Sequence, residues 1–179
     1  MGFLGGLKSA VGNLDFPFMN DGEPIIFQDL PETYDGFYDY CRNCMSDAHK
    51  LAGMTVLALA MYPLDSEFCF SLLDILRGRN KLSDTDRQLI ASRFEKQDFI
   101  ARSFFKGSTP KNGYNPNVPY TVIVYDDEKE SMQNDTMVLC VRSSGADDYR
   151  KITLKRGLKE RWYLWEQQIL SPIQEPMIQ

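Results

Sequence analysis

Histidine occurs once in this chain and cysteine four times, and no apolar run reaches the roughly eighteen residues that a bilayer-spanning helix needs. Each scarcity excludes a kind of chemistry. Zinc requires four convergent ligands, and Cys41-x-x-Cys44 has no second such pair beside it; Cys69, Cys140 and His49 stand alone. No metal and no cofactor is expected. The sequence also lacks G-x-S-x-G, a Walker segment, G-x-G-x-x-G and H-E-x-x-H, the short patterns that announce common hydrolases, nucleotide-binding proteins and metalloproteases. Positive charge is in deficit: 20 Lys and Arg face 25 Asp and Glu, for a net charge of −5. A general nucleic-acid binder is not expected from that balance, since phosphate affinity depends on clustered cations.

What is present suits one globular domain. The 179 residues are 43% hydrophobic, 25% charged and 12% aromatic, enough to bury a core without disulfides or metals. The first 29 residues read as an N-terminal arm. Phe3, Leu4, Leu7, Val11 and Leu14 recur there at helical spacing, but Gly2, Gly5, Gly6 and Gly12 weaken an isolated helix. The arm lacks the continuous apolar stretch of a secretory signal, so a cytoplasmic setting is expected. Cys41 and Cys44 are expected to be structural thiols on one helix face, where buried cysteine behaves as a small hydrophobe.

Residues 30–179 form a single α+β domain in which the hydrophobic period changes once. Within the helical half, 30–106, apolar positions from Phe37 to Ala60 follow a helical stripe that Pro63 stops. Asp65 caps a second helix that closes at Gly78, and Ser83 caps a third that runs to about Phe104, with Gly107 as its terminator. In the sheet half, 120–171, the period becomes two. Residues 120–125, 136–142, 150–156 and 161–168 are predicted strands, and short polar connections make them antiparallel neighbours. The expected fold is therefore about three helices packed on a four-stranded antiparallel sheet.

Between the halves lies the connector 107–119, within the stretch SFFKGSTPKNGYNPNVPYTV. Three prolines push Thr109, Asn115 and Val118 to extended geometry, and Asn112-Gly113 favours a turn of positive φ. Such a stiff loop serves either as a fixed path from helix to strand or as a recognition surface carrying Lys106, Ser108, Thr109, Asn112, Tyr114 and Asn115. The connector reading is the plainer.

Enzymatic readings find little support. His49 lies between Ala48 and Lys50 on the first helix, where a hydrogen-bonded structural histidine is the common case. The acid pairs Asp126-Asp127 and Asp147-Asp148 fall in turns, where carboxylates are solvated. A non-enzymatic binding or assembly module is the preferred reading; an enzyme with a small-molecule pocket and no recognisable motif is one alternative. A second is anion or nucleic-acid binding by a basic sheet face, since the stretch from Arg142 to Arg161 is locally basic and Lys151 and Lys155 alternate outward against Ile152 and Leu154. The last strand is apolar on both sides, with Tyr163 and Trp165 opposite Trp162 and Leu164. One of Tyr163 and Trp165, together with Tyr114, is expected at a contact with the loop or at a homodimer or protein interface.

The segments RSFFKGSTPKNGYNPNVPYTV, SSGADDYRKITLKR and RWYLWEQQILSPI resemble those of a family of bacterial proteins, found among the Firmicutes and their relatives, that is catalogued as a domain of unknown function. The resemblance runs from about Leu30 to Ile173 and is most specific in the proline-rich loop. It implies a bacterial cytoplasmic or phage-derived setting and carries no catalytic residue.

Overall fold

The structure, a computed structural model, describes residues 21–127, 129, 130 and 132–177; the apolar stripe of the arm lies outside them. Strand β1 (Glu23–Phe27) is the first element among them. Four helices follow: α1 (Tyr34–Cys41), α2 (Ala48–Ala60), α3 (Ser66–Arg77) and α4 (Asp84–Lys96). The remaining strands are β2 (Tyr120–Asp126), the two-residue β3 (Met132–Gln133), β4 (Thr136–Arg142), β5 (Tyr149–Arg156) and β6 (Trp162–Gln167). The sheet runs β1-β2-β4-β5-β6 with β3 beside β4, and every pair is antiparallel. Among the described residues no helix is long and apolar enough to cross a membrane.

The α+β class and the β2-β4-β5-β6 meander follow the periodicity, but a four-stranded sheet that comes wholly after the helices does not. β1 precedes α1 to α4 and pairs along its length with β2, from Glu23 opposite Val124 to Phe27 opposite Tyr120. Ile25 and Phe27 point into the core while Ile26 is 53% exposed. Pro24 removes a backbone donor, which a strand tolerates at a sheet edge, and β1 is that edge.

Nor is the first helix continuous. Thr33 caps α1 by accepting from Gly36 N at 3.1 Å, and the helix ends at Cys41. A 3-10 turn, Cys44–Ser46, follows, in which Ser46 Oγ donates to Asn43 O at 2.8 Å. Asp47 then restarts the chain as N-cap of α2, accepting from Lys50 N at 3.2 Å. Ser46 and Asp47 divert local hydrogen bonds to their side chains, and that divides the predicted helix in two. Cys44 consequently sits in the turn rather than on the helix face of Cys41, and both thiols are buried.

The two later caps stand where expected. Asp65 accepts from Phe68 N at 2.9 Å, and Gly78 closes α3 with φ 64°. Ser83 and Asp86 form a reciprocal capping box on α4. That helix stops at Lys96, well short of Phe104. Gln97 turns out to φ −142°, ψ 80°, and residues Ile100–Phe104 form a separate 3-10 turn. Gly107 adopts φ 88° but lies beyond Phe105, the C-cap of this second segment, and does not terminate α4.

α2 is buried along most of its length and lies over the sheet. Its Leu51, Leu57 and Leu59 meet Val122, Val124, Leu139, Ile152, Leu154 and Leu164 in one core. Gly53 lets β1 approach the helix: a Cβ there would lie 2.8 Å from Ile25 Cγ2. The helices thus cover one sheet face. On the other, Ile123 and Tyr125 of β2 are half-buried, and Val138 and Cys140 of β4 are buried beneath the segment that leads from β2 to β4.

Candidate functional site

A groove of about 670 Å³ lies between the segment 103–108 and the turn from β4 to β5. Ile123 and Tyr125 line it from the outer face of β2; Lys106, Arg142, Ser144 and Asp147 bring polar ends to it. The groove exists because β2 changes partners on that side. Its end at Val124–Asp126 pairs with β4, whereas its start bonds with the segment 103–108: Phe105 bridges Val122, and Lys106 N donates to Thr121 O at 2.8 Å. Between these two partners the outer side chains Ile123 and Tyr125 stay half-buried, packed against the backbone of Gly22.

Serine hydroxyls hold the two walls together. Ser143 Oγ donates to Ser103 Oγ at 2.7 Å, and Ser103 Oγ donates onward to Ile100 O at 2.7 Å. Gly145 N donates back to Ser143 Oγ at 3.0 Å. Ser144 gives two bonds to Ser103 O, from its backbone N–H at 3.0 Å and from its hydroxyl at 3.1 Å. Ser103 and Ser143 are buried, so these bonds are exchanged out of water, where leaving any one unmade is costly.

The C-terminal segment braces the same walls from behind. Gln174 N donates to Gly145 O at 2.9 Å, and Tyr114 O–H donates to Gln174 O at 2.6 Å. Gln97 grips the next turn of chain with both ends of its amide, donating to Ile173 O at 2.8 Å and accepting from Ile173 N at 2.9 Å. Arg150, itself buried and paired with Asp148, reaches Pro172 O at 3.2 Å. At Gly145 a Cβ would fall 2.1 Å from the Tyr114 oxygen, so only glycine allows the ring to lie there.

The residues singled out from the sequence are dispersed by the fold. Of them, Lys106, Ser108, Arg142 and Asp147 line the groove, and the Arg142 guanidinium lies 5.9 Å from the Tyr149 ring centroid. Asn112 is the internal brace of the connector: its Nδ2 donates to Gly107 O and Asn115 O at 2.9 and 3.0 Å, and its Oδ1 accepts from Thr109 N and Asn115 N at 2.9 and 3.1 Å. Tyr114 is not on a surface. It is fully buried and stacks on Phe99 with centroids 5.2 Å apart, because the connector turns it inward to the C-terminal segment rather than over Trp165. The expected contact of Tyr114 with Tyr163 or Trp165 is therefore corrected. Tyr163 packs between the backbones of Gly78 and Gly157. Trp165 is 43% exposed, and its ring is capped by Lys155 Nζ at 3.4 Å from the centroid. Lys151 pairs with Asp127 at 3.3 Å and Glu130 at 3.0 Å. Of the expected basic sheet face, two cations are thus already engaged by neighbours.

His49 joins α2 to the sheet. Its Nε2 lies 2.9 Å from Asp126 Oδ1 and its Nδ1 3.8 Å from Glu23 Oε2, so it ties the helix start to β2 and β1. Among the described residues no group of three or more His, Cys, Asp or Glu side chains is arranged to hold a metal ion.

The chain's segments that form these walls and their brace, from the connector to Gln174, fall inside a match to a family model described as a domain of unknown function, DUF6935, over residues 29–177. The chain belongs to that family. No curated protein and no solved structure shows a significant match. The DUF6935 region takes in all four helices, β2 to β6 and both groove walls, while β1 lies before it. Ser103, Ser143 and Ser144 fall in segments that carry the family resemblance, but no pattern of known chemistry marks them or Tyr125. Their other signal is position, at the ends of predicted elements.

Proposed function

We propose that this chain is a non-catalytic binding module whose ligand site is the groove between 103–108 and 142–147. One observation carries the reading: two walls about 40 residues apart in sequence are locked together by buried serine hydroxyls, leaving an open, half-polar concavity over Ile123 and Tyr125. A site pre-formed in this way loses little conformational entropy when a ligand enters. The four cysteines, all free thiols and buried, support a reducing compartment.

The reading is tested by mapping a library of small fragments on the isotopically labelled protein by NMR. Amide shifts that cluster at Lys106, Gly107, Ser144 and Gly145 are expected. Hits that cluster elsewhere, or none at all, would overturn it.

A second reading is self-association through the β6 edge, supported by the exposure of Trp165 and Leu89 on one shallow concavity beside Leu164. Light scattering on the wild type and on Trp165→Ala decides it: a wild-type dimer that the substitution dissociates supports the contact, and a wild-type monomer refutes it.

A further inference from the structure

We infer that the groove takes a free α-amino acid with an aliphatic or aromatic side chain, a zwitterion on an apolar body. This rests on the groove being the ligand site, and it adds the chemistry of the ligand. Two polar groups of the lining are already spent. Arg142 has partners, the Tyr149 ring among them, and the Ser144 hydroxyl donates to Ser103 O. That leaves one charge of each sign, Lys106 on one wall and Asp147 on the other. Both side chains are exposed, and among the described residues neither is ion-paired, with the other or with a third group. A ligand of a single charge would be attracted to one wall and repelled by the other, whereas a zwitterion satisfies both.

Both charges stand on fixed backbone. Lys106 N donates to Thr121 O at 2.8 Å, and Lys106 O accepts from Asn117 N at 3.1 Å. Gly107, the next groove residue, has φ 88°. Across a trans peptide its N–H points opposite to the Lys106 carbonyl, hence away from Asn117. Among the described residues that N–H has no acceptor, so it offers a second donor to a carboxylate beside the Lys106 ammonium. Asp147 is fixed from both sides: Gly145 O accepts from Gln174 N at 2.9 Å, and the Asp148 carboxylate pairs with the buried Arg150.

The floor selects the body of the ligand. Ile123 and Tyr125 are half-buried and present aliphatic and aromatic surface, and Tyr125 sits edge-to-face with Tyr149, ring centroids 5.2 Å apart. Glycine would leave that surface wet. An aliphatic or aromatic side chain covers it while the α-carboxylate reaches Lys106 and the α-ammonium reaches Asp147.

Four probes separate these contributions in NMR and calorimetric titrations of the full chain at neutral pH: L-phenylalanine; phenylpropionate, which lacks the ammonium; phenethylamine, which lacks the carboxylate; and glycine, which lacks the ring. Saturable binding of phenylalanine, about fivefold or more tighter than each of the other three, is expected, with shifts at the groove amides. Lys106→Gln should weaken phenylalanine and phenylpropionate by about fivefold without weakening phenethylamine, and Asp147→Asn should weaken phenylalanine and phenethylamine without weakening phenylpropionate. Circular dichroism and melting temperature should not change, because both side chains are exposed. Phenylalanine that binds no tighter than any one of the other probes, or that binds both variants as well as the wild type, would overturn the inference. If singly charged or neutral fragments still gather in the groove in that event, the site stands and only its zwitterionic character fails; if nothing gathers there, both fail.

Discussion

The phenolic O–H of Tyr114 donates to the carbonyl oxygen of Gln174 at 2.6 Å, across 60 residues of sequence. This bond joins the proline-rich connector to the C-terminal segment, and Gln174 in turn holds Gly145 on the far wall of the groove. Tyr114 takes up φ 56° to do so, a left-handed conformation that costs a non-glycine residue about 1–2 kcal/mol. Full burial of its ring against Phe99 offsets that cost.

Tyr114→Phe should remove one hydrogen bond and keep the stack, a loss of about 1 kcal/mol. Tyr114→Ala should lose the ring as well and cost about 3–5 kcal/mol, as large buried aromatics do. Urea unfolding followed by circular dichroism measures both. Equal losses for the two would mean that the ring contributes nothing.

Gly53 offers a prediction of reversed sign. Glycine in a helix interior is normally improved by alanine, by about 1 kcal/mol. Here the added methyl would meet Ile25 Cγ2 at 2.8 Å, so Gly53→Ala should destabilise by about 1–3 kcal/mol through overpacking. Adding Ile25→Val should recover part of the loss. A more stable single variant would refute the close approach of β1 to α2.

Stability at acid pH should depend on the cap of α4. Ser83 N–H and Oγ donate to the Asp86 carboxylate at 2.9 and 2.8 Å, and these bonds hold its pKa below the ordinary value. A depressed folded-state pKa contributes stability that is present above the unfolded value of about 3.9 and is lost as pH falls through the folded one. Asp86→Asn should therefore cost stability at neutral pH and progressively less below about pH 4. Ser83→Ala should cost about 1 kcal/mol at pH 7. Melting temperatures across this range check both, and a constant gap between Asp86→Asn and wild type at all pH values would contradict the assignment.

The thiols should be silent in the folded protein. Cys41 is pushed far above the usual thiol range by its hydrogen bond with Cys44 and by burial, burial raises Cys69, and burial together with the Asp127 carboxylate lifts Cys140 to about 12. Since the thiolate is the reactive form, a chromogenic disulfide reagent at pH 8 should label the denatured chain fully and the native one only at the rate of unfolding. Rapid native labelling of Cys41 or Cys44 would show that the pair is exposed.

The sequence by itself determined what depends on neighbours along the chain. A period of two with short polar connections placed the strands from Tyr120 to Gln167 and their antiparallel order, because side chains alternate faces and a tight turn permits no other pairing. Asp65, Gly78 and Ser83 marked helix ends because caps act within three or four residues. Tertiary structure alone decided the rest. β1 is five residues long and holds a proline, so it is a strand only because β2 offers an edge and Gly53 leaves room above Ile25. α4 stops at Lys96 where Gln97 leaves the helix and binds Ile173, 76 residues onward. The groove belongs to this second kind entirely. Ser103 and Ser143 meet, and Lys106 and Arg142 come to line one groove, through the fold and not through spacing, and a pairing across 40 residues leaves no periodic trace in the chain.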